Sequence, residues 1–210
     1  MAERGDAPLH LDFGPVRPWG RAWVASRPGY MRRASCALAD DGRVWLVDPV
    51  DGPGLDEAIA ALGDVAGVVQ LLDRHARDGA ALAERHGVPL HVNPVDGVPG
   101  APFRTIPLVQ RRLWREVAIW WPARDLLAVP ETIGTASYFR APGARVGVHP
   151  MMRLTPPRAL AELSPRVLLP GHGDALEDER VGDDLRRAIL RSRRDIPRWL
   201  VSLPRAFGRG

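Results

Sequence analysis

The sequence predicts an α/β protein built as a four-layered αββα sandwich, two mixed β-sheets with helices outside. Three observations carry that expectation. Short apolar runs open the chain and recur in its third quarter; each series of strands passes into strand–helix alternation; and neither a linker nor a repeat of 20–50 residues divides the 210 residues. Residues 1–14 read as an irregular lead-in and 15–210 as a single domain, long enough to bury a substantial core.

The elements follow in order. Arg21–Ala25 and Arg33–Leu38 read as strands, and Asp40-Asp41-Gly42-Arg43 as a hairpin turn, because Asp-Gly suits positive φ. Val44–Val47 is a strand ending in Asp48-Pro49. Leu55, Ile59 and Leu62 share one face of a helix. Val65–Leu72 is apolar throughout, as a strand covered on both faces is. A helix from Ala80 through Arg85 stops before Gly87, and Pro89–Val92 is the next strand. Strands are expected at Arg104–Leu108, Trp114–Trp121 and Asp125–Val129. A helix over Pro156–Leu163 has proline in its first turn. Arg166–Leu169 is a strand delivering Pro170-Gly171-His172-Gly173, and a last helix runs from about Asp178 to Val201.

Composition narrows the function classes. Hydrophobic content of 45% and charged content of 26% suit a soluble globular chain, and no apolar run reaches the roughly 20 residues of a membrane span. Met1–Asp6 is polar, without the apolar segment of a secretory signal, so a cytoplasmic location is expected. Cys36, the single cysteine, excludes an internal disulfide framework and reads as a small core residue. All 29 basic residues are arginine, which removes lysine chemistry from this arginine-rich chain. The net charge is only +4, so a nucleic-acid partner would need a local cluster. Arg187, Arg191 and Arg194 share a helix face, but Asp183, Asp184 and Asp195 balance them; nucleic acid ranks last among the partners.

Chemistry concentrates at the junction after the strand Val65–Leu72. Asp73-Arg74-His75-Ala76-Arg77-Asp78 stands where ligands collect in layered α/β proteins, beyond a strand's carboxyl end. Together with the late Leu168-Leu169-Pro170-Gly171-His172-Gly173, and with early strands ending in Val47-Asp48-Pro49, this stretch resembles the metallo-β-lactamase-like hydrolases. The resemblance spans roughly Val16 to the last helix. It implies an αββα fold and hydrolysis by a metal-activated water.

In that family the loop reads His-x-His-x-Asp-His, and a later His, an Asp and the Gly-His-Gly histidine complete a two-metal site. Here Asp73 stands at the first His, His75 keeps the second, Arg77 replaces the Asp and Asp78 the third His. The later His falls near Arg112, Glu131 stands for the bridging Asp, and His172 is retained. The resemblance therefore implies a degenerate set of Asp73, His75, Asp78, Glu131 and His172 as catalytic or metal-holding residues, with Arg77 and Arg112 as substrate-binding groups.

Such a set holds at most one divalent metal (zinc, manganese or iron), or none; its oxygen-rich character favours manganese, magnesium or iron over zinc. A guanidinium about 4 Å from a carboxylate is worth about 4 kcal/mol at an effective dielectric near 20, before desolvation, and repulsion from a divalent ion is about twice that. Two arginines in the shell therefore argue against two metals. Each residue also has a plainer role: Asp78 as N-cap of the following helix, His75 as a histidine satisfied by Asp73 or Asp78, Arg74 as a solvated charge, Pro-Gly-His-Gly as a turn. His149 is placed at a pocket rim, and Trp114, Trp120 and Trp121 in the core. Two main functional readings stand. The first is a divergent hydrolase acting on a small ester, thioester, amide or phosphoester. The second is a catalytically inactive relative, a pseudoenzyme that takes an anionic ligand or a protein partner through an arginine-containing pocket.

Overall fold

The chain as a computed structural model is described over residues 9–27, 31–74 and 76–207, with residues 203–207 described by backbone alone. A six-stranded sheet runs β1 (His10–Phe13), β2 (Gly20–Ser26), β3 (Arg33–Asp40), β4 (Arg43–Val47), β5 (Asp64–Gln70), β6 (Leu90–Val92), antiparallel to β4 and parallel beyond it. The second sheet uses β7 (Arg104–Arg111), β8 (Trp114–Trp121), β9 (Leu126–Val129), β12 (Val167–Pro170) and β13 (Leu176–Glu177), in the order β13-β12-β9-β8-β7. A short ladder pairs β10 (Ile133–Gly134) with β11 (Gly147–Val148). The helices are α1 (Leu55–Ala60), α2 (Gly79–His86), α3 (Val181–Arg191) and α4 (Ile196–Phe207).

Strict alternation along the strands sorts side chains into three layers of core. Cys36, Leu38, Trp45, Val47 and Val69 of the first sheet face Val117, Ile119, Trp121, Leu126 and Leu169 of the second. Their neighbours Ala37, Val44, Leu46 and Val68 point outward, onto Leu55 and Ile59 of α1 and Leu82 of α2. On the far side Ala118, Trp120, Leu127 and Leu168 pack beneath Leu185 and Ile189 of α3. This is the αββα sandwich, helix–sheet–sheet–helix. Among the described residues no helix is long and apolar enough to cross a membrane.

Three expectations are corrected. The segment read as an irregular lead-in contains β1, an edge strand whose residues alternate in burial and pair with β2 from His10↔Ser26 to Phe13↔Trp23. The single last helix is two, because a proline at position 197 has no N–H to donate and its ring crowds the carbonyl four residues back; it sits instead in the first turn of α4. The helix expected over Pro156–Leu163 is a 3-10 turn over Arg158–Glu162.

Two features bring the loops of the two sheets together. Beyond β5 the chain crosses to β8: Val117 N–H donates to Leu71 O (3.0 Å), Asp73 N–H to Arg115 O (3.1 Å), and Leu72 bridges Glu116. On the other side Gly171 donates its N–H to Val129 O (2.8 Å) while its carbonyl accepts from Ala34 N–H (2.8 Å). A Cβ at Gly171 would lie 2.0 Å from Pro130 O, so only glycine permits this approach. Gly171→Ala is expected to cost about 2 kcal/mol or more of stability, measured by chemical denaturation, because backbone must move to relieve the overlap.

Candidate functional site

Arg77 sits in the loop between β5 and α2 with φ 46, a left-handed backbone that turns its side chain inward. Nη1 donates to Ala34 O, to Asp48 O (2.7 Å) and to the Ser35 hydroxyl (3.3 Å); Nη2 donates to Gly171 O (2.9 Å). One guanidinium thus ties β3, the end of β4 and the loop after β12. Burial pulls its pKa below the ordinary arginine value, with Asp48 opposing the shift. The mirror effect acts on Asp48, whose carboxyl is pushed up to about 6 by burial, against Arg77 and the Leu71 N–H that Oδ1 accepts at 2.9 Å. Arg77 is a cross-brace: its two Nη groups are turned to three carbonyls and the Ser35 hydroxyl, while its buried Nε–H has no hydrogen-bond partner.

Glu131, 8% exposed, lies between two imidazoles: Oε1 is 3.1 Å from His149 Nε2 and Oε2 is 3.2 Å from His172 Nε2. The tautomers follow from the other ring nitrogens. His172 Nδ1 is 3.0 Å from Met31 O, a pure acceptor, so Nδ1 carries hydrogen. His149 Nδ1 accepts from Met151 N–H (3.3 Å), so its Nε2–H is the donor to Glu131. Phe139 stacks on His172 (centroids 5.9 Å, 29°) and meets His149 edge-on (5.6 Å, 67°), fixing both rings.

The backbone that presents Glu131 is held by Glu116, completely buried in β8. Its Oε1 accepts from Thr132 N–H (2.8 Å), the Thr132 hydroxyl (2.9 Å) and Glu131 N–H (3.3 Å), and Oε2 accepts from Trp114 Nε1–H (2.7 Å). Burial pushes its carboxyl up to about 7 even though all four contacts are donors that pull it down.

The candidate residues are thus dispersed in part. Glu131 and His172 come together, and His149, expected only at a rim, joins them as a full partner. Arg77 is adjacent but structural. Asp73 lies at the loop entrance, Oδ2 3.4 Å from Arg115 Nε and Oδ1 buried without a hydrogen bond. Asp78 holds the N-cap position of α2, as expected, but makes no side-chain cap; its Oδ2 accepts Asp51 N–H (2.9 Å) instead. Arg112 is exposed in the two-residue turn between β7 and β8, so it forms no arginine pocket with Arg77. The loose alignment of the family's later histidine put it in the site; the hairpin register takes it out. Arg74 stacks on Trp114, 4.4 Å from the ring centroid. His75 lies outside the described residues. Among those described, no three His, Cys, Asp or Glu side chains are grouped to hold one metal ion. Sequence reasoning missed Glu116 and the partnership of His149; an acid inside the otherwise apolar β8 was the available signal for the first.

No family model matches the sequence, and no curated protein does. Solved structures do. A putative diflavin flavoprotein fragment from Nostoc sp. PCC 7120 aligns with TM-score 0.58 at 14% identity, over 90% of this chain and 99% of that one. The DIM-1 metallo-β-lactamase aligns with TM-score 0.56 at 13% identity, over 88% and 99%. The metallo-β-lactamase FIM-1 from Pseudomonas aeruginosa, in its mono-zinc form, gives 0.54 at 13%, over 91% and 98%. The chain has the metallo-β-lactamase fold; at these identities the likeness is one of fold alone.

Two outcomes test the assignments. Arg77→Met is expected to destabilise the fold by about 3 kcal/mol, since it takes the donor from Ala34 O and one of two donors each from Asp48 O and Gly171 O, whereas Arg112→Met stays within about 0.5 kcal/mol; equal, small effects on denaturation midpoints would refute the brace. With Asp48 and Glu116 both raised, the folded chain holds protons that the unfolded chain has released between about pH 4 and 7. Stability from these groups is therefore greatest at the acid end of that window and falls as pH rises through it. Glu116→Gln, which has no proton to lose, should flatten that slope in thermal melts at pH 5 and 7.5.

Proposed function

We propose that this chain is a metal-independent protein of the metallo-β-lactamase fold that binds a ligand and does not hydrolyse one through a metal pair. The carrying observation is that the polar groups at the expected ligand positions are committed to one another or to backbone. Glu131 is shared between His149 and His172, and Arg77 is spent on three carbonyls and a hydroxyl. Two metals do not fit this arrangement. Asp78 caps Asp51 N–H and Arg112 lies on a hairpin tip, so neither adds a donor to Glu131 and His172. The arginines are likewise no basis for anion capture at this spot, so the ligand is sought in the neighbouring space between the sheets. A cytoplasmic location accompanies the reading.

A second reading, a divergent hydrolase with one metal, has its own support. His172 donates Nδ1–H to a carbonyl, the arrangement that turns Nε2 into a metal ligand, and Asp73 Oδ1 is buried without a partner. FIM-1 is a protein of this fold described with a single zinc. Asp73, Glu131 and His172, with His75 from the sequence, would hold the ion, and a metal there would supply an activated water. Glu131 would first have to release a histidine.

Elemental analysis of protein purified without chelators separates the two. The metal-independent reading expects well under one metal per chain and a melting temperature unmoved by added zinc or manganese. Stoichiometric metal that disappears in both His75→Ala and His172→Ala, together with ester or phosphoester hydrolysis that follows it, would overturn it.

A further inference from the structure

Between the two sheets, on the side of β1, β2 and β13, lies a cavity of about 440 Å³. That is within the roughly 300–1,000 Å³ range of small-molecule sites. It exists because side chains are small where the sheets face each other. Ala22, Ala34 and Cys36 of the first sheet look across at Ala128 and Gly171 of the second, so the usual separation of about 10 Å is left unfilled. Phe13 and Trp23 add aromatic wall towards the edge, and the exposed Arg32–Asp174 ion pair flanks the space.

One group in this lining is out of keeping with the rest. Asp48 is 4% exposed. Its Oδ1 accepts Leu71 N–H and its main-chain carbonyl accepts from Ser35 and Arg77, but Oδ2 takes no hydrogen bond from any described residue. Arg77 acts on Asp48 through space, but its Nη groups are turned to carbonyls and the Ser35 hydroxyl, and none of its donors makes a hydrogen bond to Oδ2. A buried carboxyl with one unused acceptor on an apolar cavity is a recognition point, because leaving such a group unpaired costs free energy that a ligand donor recovers.

We propose that the inter-sheet cavity binds a small, mainly apolar molecule carrying one hydrogen-bond-donating head, an amine or a hydroxyl, which pairs with Asp48 Oδ2. A carboxylate head is rejected there by like charge. Cys36 contributes apolar wall and no nucleophile; burial raises its thiol pKa far above the ordinary value, so it stays neutral. The inference deepens the ligand-binding reading and rests on it, and it is tested independently of metal.

The full chain is titrated calorimetrically with n-octylamine, n-octanol and octanoate at pH 7.5, with intrinsic tryptophan fluorescence followed in parallel. Saturable one-to-one binding of the amine or the alcohol is expected, with octanoate weaker by about tenfold or more. Binding of both would mean that a neutral donor suffices; binding of the amine alone would mean that the head is cationic. Asp48→Asn should erase the discrimination against octanoate. Ala128→Leu fills the cavity and should abolish binding while the melting transition is kept; Ala22→Leu serves the same purpose should Ala128→Leu not fold. No saturable binding, or octanoate binding as tightly as the amine, or binding unchanged by cavity filling, overturns the proposal. Probe binding by a protein that also proves to hold metal would overturn the metal-independent reading alone, and metal-free protein that ignores all three probes would overturn this one alone.

Discussion

The Arg77 guanidinium is the contact on which the site end of this sandwich depends. Three carbonyls from separate stretches, Ala34, Asp48 and Gly171, converge on it; Asp48 O also accepts from the Ser35 hydroxyl and Gly171 O from Ala34 N–H, so Ala34 O depends on it most. A buried carbonyl that loses its partner forfeits more than the bond was worth in net terms, because the group no longer has water either. The charge itself is expensive to bury, and Asp48 lies close enough to offset part of that cost. The same pairing holds Asp48 above the ordinary carboxylate range by less than burial alone would. Brace and acid therefore explain one another.

A second buried acid does comparable work for the opposite sheet. Glu116 gathers four donors and so determines where Glu131 stands, and Glu131 in turn orders two histidines. The polar interior is a pair of linked clusters, each centred on a charge that the fold has enclosed. Such clusters rigidify when every member is satisfied. Here Glu131 faces His149 and His172, and the Arg77 Nη groups face backbone and Ser35.

Much of the architecture was legible in the sequence because short continuous apolar runs bounded by turn residues mark strands covered on both faces. Val44–Val47, Trp114–Trp121 and Val167–Leu169 each split cleanly between two cores. β1 was not legible, since four residues with His10 and Asp12 facing solvent resemble a polar tail until β2 is there to pair with them. The division of the last helix could have been read from the proline at 197. In the site, His172 stood out through its flanking glycines, whereas Glu131, Asp78, Arg77 and Arg112 were assigned by position in a motif. The partners of the last three are set by tertiary contacts: a loop N–H at Asp51, three distant carbonyls, a hairpin tip. His149 carried no local signal, and its place depends on β10–β11 aligning it with Thr132, whose carbonyl it meets at 2.9 Å.

The crossing of the chain from β5 to β8 has a kinetic meaning. Leu71, Leu72 and Asp73 belong by sequence to the first sheet, yet their backbone groups are completed by Arg115–Val117 of the second. Neither sheet can finish its hydrogen bonding alone, and the closing pairs are separated by more than forty residues of chain. Contacts of that kind slow folding and fuse what look like two layers into one cooperative unit. The backbone of Leu71–Asp73 is thus complete only when the seam closes, which ties the entrance of the loop to the joining of the two sheets.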